Sequence, residues 1–236
     1  MIIDSYSFRA RFLPAAIAIV PVVGFCFISL SWSDISVPEL GIMSASSVLL
    51  VTLSDLSRRL GRSVEKKIFA ESGGRPNISV LRLDDITFDP LTKKRYRQFL
   101  SEQLNEAEPD GTQEPDENGF LERCGHWLRE RTRDKNRFHL IFEENVTYGF
   151  RRNLYGLKKI SLLISLAVIV GGTYFAGFGS PFSGDGGRIT HSVVVLISLM
   201  HAAYFAIFVT RKSVLDASEA YARQLALSCE TLMAER

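Results

Sequence analysis

The sequence predicts an all-α membrane protein, with four transmembrane helices and a mostly helical cytoplasmic insert between spans 2 and 3. Three observations carry that fold class. Four windows contain no Asp, Glu, Lys or Arg: Phe12–Ser33 (22 residues), Leu40–Ser54 (15), Ile160–Gly184 (25) and Ile189–Thr210 (22). All 54 charged residues therefore sit in the other 152 positions, a fraction of 54/152 or 36%, against 23% for the 236-residue chain as a whole. The mean hydropathy of +0.09 is the average of two unlike parts. Thirdly, the Lys and Arg that flank the windows lie overwhelmingly on one side of the membrane, with Arg188 the exception. This pattern excludes a purely soluble domain, a collagen-like or wholly disordered chain, and a disulfide scaffold.

A helix rising about 1.5 Å per residue needs roughly 20 apolar residues to cross a hydrocarbon core about 30 Å thick. Spans at about 12–33, 160–178 and 190–210 meet that requirement directly. The second span, about 40–56, is short. Leu53, Leu56 and Leu60 continue its apolar pattern while Asp55, Arg58 and Arg59 can reach headgroups, so it is read as a span whose last turn lies at the interface. A re-entrant or interfacial helix is the alternative. A cleaved signal peptide fits residues 1–32 poorly: the apolar run exceeds an h-region of roughly 7–15 residues, and no A-x-A site follows.

Orientation follows from the excess of Lys and Arg on cytoplasmic flanks. Arg9 and Arg11 precede span 1, and Arg58, Arg59 and Arg62 follow span 2. Arg151, Arg152, Lys158 and Lys159 precede span 3, and Arg211 and Lys212 follow span 4. The turns at 34–39 and 179–188 carry Asp34 and Glu39, and Arg188 and Asp185, respectively. Both turns face outward, and both termini lie in the cytoplasm, of a bacterial inner membrane in this reading. The chain thus divides into a transmembrane hairpin (1–55), a cytoplasmic insert (56–159), a second hairpin (160–210) and a cytoplasmic C-terminal helix (211–236). Cys26, Cys124 and Cys229 form no CxxC pair, in keeping with a reducing interior.

Within the insert, span 2 runs on as a helix through Leu60, Val64 and Ile68 until Gly73, Gly74 and Pro76 stop it. Ile78, Val80 and Leu81 read as a short extended piece. Asp89-Pro90 is a helix start, with Asp as N-cap and Pro in the first turn, and the helix continues through Tyr96, Phe99, Leu100 and Leu104. The acidic stretch 105–118 holds six acids and a single aliphatic residue, Ala107, and reads as a mobile loop. A further helix carries Phe120, Leu121, Cys124, Trp127, Leu128 and Arg131. Another begins at Phe138 and, with a kink expected at Gly149, leads into span 3. Val214, Tyr221, Leu225 and Leu232 give the C-terminal helix one apolar face.

Residues that could carry chemistry are few. His139 and Glu143 have helical metal-site spacing, but two ligands are not a site. Cys124 and His126 do not share a helix face. No P-loop, GxGxxG, GxSxG or HExxH is present, so no catalytic residue, metal or cofactor is assigned, and a non-enzymatic role is expected. Arg95, Arg97, Arg129, Arg133, Arg151 and Arg152 are candidate contacts for lipid phosphate or a phosphate-bearing ligand. Tyr148, Gly149, Phe150 and Asn153, where the insert enters span 3, form a candidate hinge. Inside the membrane, His201 with Ser44, Ser47, Ser54 and Asp55 is a candidate polar site, because ionisable groups there are costly. Gly41-xxx-Ala45, Gly172-xxx-Ala176 and Ser198-xxx-Ala202 promise close helix packing.

In layout the chain resembles four-span bacterial inner-membrane proteins with a cytoplasmic insert, some of which act as membrane effectors of antiphage systems. The resemblance is one of architecture and carries no functional residues over. The expected function is a sensor or effector whose cytoplasmic cap binds a protein partner or a nucleotide and controls an oligomeric bundle in the lipid bilayer. Nothing points directly to nucleic acid. A membrane-tethered scaffold without a conducting state, and a small transporter or intramembrane enzyme using His201, are the rivals.

Overall fold

The computed structural model describes residues 4–29, 37–71, 79–109, 114–178 and 187–235. The turn at 73–76 and residues 110–113 of the acidic stretch lie outside them, as do most of the two outward turns at 34–39 and 179–188. Among the described residues every regular element is helical. In chain order these are a short α1 (Ser5–Ser7), a π-helical turn (Phe8–Phe12), α2 (Leu13–Ser29), α3 (Val37–Glu71), α4 (Pro90–Leu104), α5 (Glu114–Arg131), α6 (His139–Phe178), α7 (Gly187–Ile207) and α8 (Arg211–Met233). Three stretches among the described residues are long and apolar enough to cross a membrane: Ser5–Phe27, His139–Phe178 and Ile189–Ile207. The short second span expected from the sequence falls in the N-terminal half of α3.

The helices form two compact units, Met1–Glu65 with Gly149–Ser213, and Lys66–Tyr148 with Val214–Arg236. The first unit buries polar side chains within an apolar core and turns many large apolar ones outward. Ser57, Asn153, Ser161, Ser165, His191, Ser198 and His201 are buried. Leu163, Leu166, Val170, Tyr174 and Phe178 of α6, Leu196 and Met200 of α7, and Val20, Val23 and Phe27 of α2 face outward. A water-soluble fold buries such residues; lipid tails impose no such demand and leave helix contacts to small and polar side chains. That outward apolar surface, with the three apolar helices, points to a membrane protein.

At Gly61 and Gly156, helix α6 packs on α3 with almost no side chain between them. A Cβ on Gly156 would stand 2.6 Å from the Gly61 nitrogen and 2.9 Å from its Cα. At Gly172 an added Cβ would meet Val195 Cγ2 on α7 at 2.8 Å. Both sites show why glycine is used where helix backbones approach in a membrane.

The second unit has an ordinary apolar core. Val80, Leu81, Tyr96, Phe99, Leu100, Phe120, Leu121, Cys124, Leu128, Phe138 and Ile141 pack with Ala222, Leu225, Ala226 and Cys229 of α8. The C-terminal helix is therefore part of this unit's core. Helix α4 starts as its sequence requires: the Asp89 carboxylate accepts from Leu91 N and Thr92 N, each at 3.0 Å. Hydrogen bonding from the Thr92 side chain, then from the Thr92 and Leu91 amides, holds the Asp89 carboxyl below its ordinary range. It ends at Asn105 in the left-handed region (φ 54°, ψ 40°), a residue type that tolerates it. Val80 and Leu81 lie in a turn rather than an extended piece, and among the described residues there is no strand for them to pair with; Ile78 lies outside the described residues. Helix α5 begins at Glu114, inside the acidic stretch expected to be loop. Glu106, Glu108 and Glu117 are drawn into ion pairs with Arg123 and Arg97, which offsets the missing apolar contacts.

Candidate functional site

In the first unit the arrangement begins with a proline. Pro21 lies inside α2 and has no N–H, so the carbonyl four residues earlier, on Ile17, loses its helical donor. An unsatisfied carbonyl in hydrocarbon costs several kcal/mol. His201 of α7 repairs it: its Nε2 stands 2.9 Å from the Ile17 oxygen. A carbonyl only accepts, so Nε2 carries the hydrogen, and in the neutral ring Nδ1 is then an acceptor. Nδ1 lies 2.8 Å from Ser165 Oγ on α6. Ser165 has one hydroxyl hydrogen to share between that nitrogen and the Ser161 carbonyl, 2.9 Å away. One imidazole thus ties three helices together, with its ring 4.8 Å from that of Phe205.

A second polar knot surrounds the π-helical turn. Widened hydrogen-bond spacing in such a turn leaves carbonyls in need of donors. Asn153, fully buried on α6, donates from Nδ2 to the Ala10 carbonyl at 2.6 Å. Ser57 Oγ is 3.4 Å from the Arg11 carbonyl while donating to Ser54 O at 2.8 Å. Arg152 pairs with Glu65 of α3 at 2.8 Å. Lys158 reaches the end of α7, donating to the carbonyls of Ala206 (3.1 Å) and Val209 (2.8 Å), where a cation also suits the helix dipole.

The expected hinge residues are placed as follows. Helix α6 runs unbroken from His139 to Phe178, so Gly149 is a helix residue and the chain does not break there. Its lack of a side chain serves close approach: an added Cβ would lie 2.8 Å from the Tyr6 hydroxyl and 3.0 Å from Ala10 Cβ. Phe150 packs on the cluster of Leu154, Phe205 and Val209. Tyr148 belongs to the second unit and stacks on Tyr221 at 6.3 Å with the rings 3° apart. Of the remaining intramembrane candidates, Ser44 and Ser47 are exposed and Asp55 pairs with Arg59 at 2.9 Å, so none of them joins His201.

In the second unit the candidate arginines separate. Arg97 is fully buried and saturated, with Glu108 Oε1 at 2.6 Å, Glu117 Oε1 at 2.7 Å, the Leu81 carbonyl at 2.9 Å and the Pro109 carbonyl at 3.3 Å. Its guanidinium joins the 81–83 turn, the acidic stretch and α5, and presents nothing to a surface. Arg95 pairs with Glu230, which also accepts from the Tyr96 hydroxyl at 2.8 Å. Burial, then that carboxylate, push the Tyr96 phenol well above its ordinary range. Arg133 pairs with Glu130 at 2.6 Å on the exposed side of the unit, and Arg129 is half-buried. His139 lies 3.9 Å from Glu143, and among the described residues no third metal-ligating group joins them.

The sequence alone did not reveal an open cleft on this unit. Asp84, Asp85, Asp89 and Glu108 line it with Lys93 and Lys94, around Leu83, Ile86 and Phe88. The Lys93 ammonium is turned inward onto the Asp85 carbonyl. Ile86 is 96% exposed and Leu91, beside the cleft, 81%. The charge alternation across residues 82–94 masked an apolar tip that only the turn geometry brings out. The Ile17–Pro21–His201 link and the Gly61–Gly156 contact were also missed, although a proline in mid-span is itself the signal of a freed carbonyl four residues before it.

Comparison with known protein families, curated proteins and solved structures gives no match to this chain.

Proposed function

We propose that the chain is a four-span, non-enzymatic sensor or effector of the bacterial inner membrane, with both termini in the cytoplasm. The helical second unit binds a partner, and an oligomeric transmembrane bundle responds. The observation that carries this reading is continuity. Helices α3 and α6 each belong to both compact units without interruption, so a change in the packing of the second unit alters helices that also build the first. The acidic cleft with its apolar tip at Ile86 and Leu91 supports a partner segment that is basic and apolar. The outward face of α3 supports the oligomer. Ser44, Ala45, Ser47 and Thr52 are exposed there beside Val48 and Val51, where α6 exposes large apolar side chains such as Leu163, Leu166 and Val170. Small polar residues on an outer face suit a second copy of the chain better than hydrocarbon.

The test is reconstitution of the whole chain in dye-loaded liposomes, with single cysteines at Ser44 or Ser47 for cross-linking. Cross-linked oligomers together with dye release support the reading. Oligomers that never leak, with or without a cytoplasmic extract, leave a membrane-tethered scaffold. A monomer at every concentration removes the bundle.

A further inference from the structure

Three arginines from two elements gather where the apolar window of span 1 begins and that of α3 ends. Arg11 lies in the π-helical turn, with its guanidinium carbon 5.8 Å from the centre of the Tyr6 ring. Its carbonyl is the one approached by Ser57 of α3. Arg58 follows Ser57 directly, and Arg62 lies one turn further along the same face. The charges feel one another: the Arg58 guanidinium is held below the usual arginine range, first by Arg11, then by desolvation, then by Arg62, with Asp55 offsetting only part. Nearby carboxylates are engaged elsewhere, Asp55 with Arg59 and Glu65 with Arg152. Among the described residues none of Arg11, Arg58 and Arg62 makes an ion pair with a carboxylate.

Packing holds these like charges together, because Ser57 and Gly61 sit in the α3 contacts with the π-helical turn and with α6. An anion among them would relieve the repulsion. We propose that Arg11, Arg58 and Arg62, with Tyr6 at the edge, bind the phosphate of an anionic lipid headgroup. Guanidinium forks match phosphate oxygens in pairs. The apolar window of span 1 starts at Phe12, directly after Arg11, and that of α3 ends at Ser54, one turn before Arg58. A headgroup held here would therefore lay its acyl chains along both helices, which a free phosphate cannot do. Tyrosine at headgroup level is the usual interfacial anchor. This site does not depend on the bundle conducting, so the two proposals fail separately.

The experiment measures lipid retained by the full chain in detergent, by native mass spectrometry and by thermal melting, on addition of phosphatidylglycerol or phosphatidylcholine. The wild-type chain is expected to retain and be stabilised by phosphatidylglycerol, with the preference fading at high salt. Each of Arg11→Gln, Arg58→Gln and Arg62→Gln should weaken retention about fivefold. Arg123→Gln, at a position paired with Glu106 in the other unit, should not. Equal retention of both lipids by the wild type overturns the proposal without any variant, as does an unchanged preference in the folded triple Gln variant. Arg→Lys variants at the three positions keep the charge should the Gln variants fail to fold, and must then retain the preference. Inorganic phosphate that displaces phosphatidylglycerol at equal concentration would replace the lipid with a soluble anion and overturn the lipid assignment.

Discussion

In the first unit the buried His201 and Asn153 donate to backbone carbonyls, those of Ile17 and Ala10. In the second, the buried Arg97 donates chiefly to carboxylates, those of Glu108 and Glu117. Hydrocarbon around the first unit and water around the second would account for the difference. Where hydrocarbon surrounds a helix, the scarce commodity is a donor for a carbonyl whose helical partner is missing, and a neutral side chain supplies it at little desolvation cost. Where water surrounds the fold, a charged centre can gather a turn, the acidic stretch and the start of α5, which has few apolar side chains to pack on its own. A buried pair of the second kind is unforgiving, since losing one partner strands the other charge.

The comparison can be broken most severely at Arg97. Arg97→Met strands Glu117, and such a loss costs roughly 3–5 kcal/mol. The second unit should melt, with rapid tryptic cleavage within 79–137, while helices α2 and α7 remain protease-resistant in detergent. Wild-type melting in this variant would show that the ion cluster is not what holds the acidic stretch. Next comes Gly156→Ala, whose Cβ would press on the Gly61 backbone at 2.6 Å. Overpacking of this kind costs about 1–3 kcal/mol, seen as a lower melting temperature. Gly24→Ala, with nothing within 4 Å of the new Cβ, should leave it unchanged.

A finer test is a double-mutant cycle on the proline link. His201→Ala should destabilise by about 1 kcal/mol, as interhelical hydrogen bonds in membranes do. Pro21→Ala returns a backbone N–H to the Ile17 carbonyl, so His201→Ala should cost less in that background. Equal costs in both backgrounds would separate His201 from Pro21.

An effect that is absent at neutral pH concerns the second unit's thiols. Burial pushes both Cys124 and Cys229 up to about 12 from an ordinary value near 9. The native state therefore keeps its thiol protons while the unfolded chain releases them between about pH 9 and 12. Stability is unaffected by these groups below pH 9 and falls as pH rises through that window. Denaturation at graded pH measures the fall, and Cys124→Ala with Cys229→Ala should flatten it. Alkylation of the native chain at pH 8 should be slow at both positions.

Much of this architecture is visible in residue order. The charge-free windows give the three membrane-length helices, Asp89-Pro90 gives the start of α4, and Leu60, Val64 and Ile68 carry α3 past its apolar half. What escaped depends on contacts between residues far apart in sequence. Gly61 and Gly156 are unremarkable singly, and only the crossing of α3 and α6 gives each its meaning. Arg97 looked like its neighbours Lys94 and Arg95, because a basic run does not disclose which member turns inward. The acidic stretch looked unfoldable by composition, yet part of it is helix once an internal arginine supplies what aliphatic residues would have.

The link from Pro21 to His201 also bears on assembly over time. The N-terminal helix leaves the ribosome nearly two hundred residues before the side chain that completes it. Until α7 arrives, α2 carries an exposed carbonyl into the bilayer and is recognisably unfinished. Truncated or stalled products lacking α7 would keep that mark, giving membrane chaperones and proteases a chemical means of telling a partial chain from a completed one.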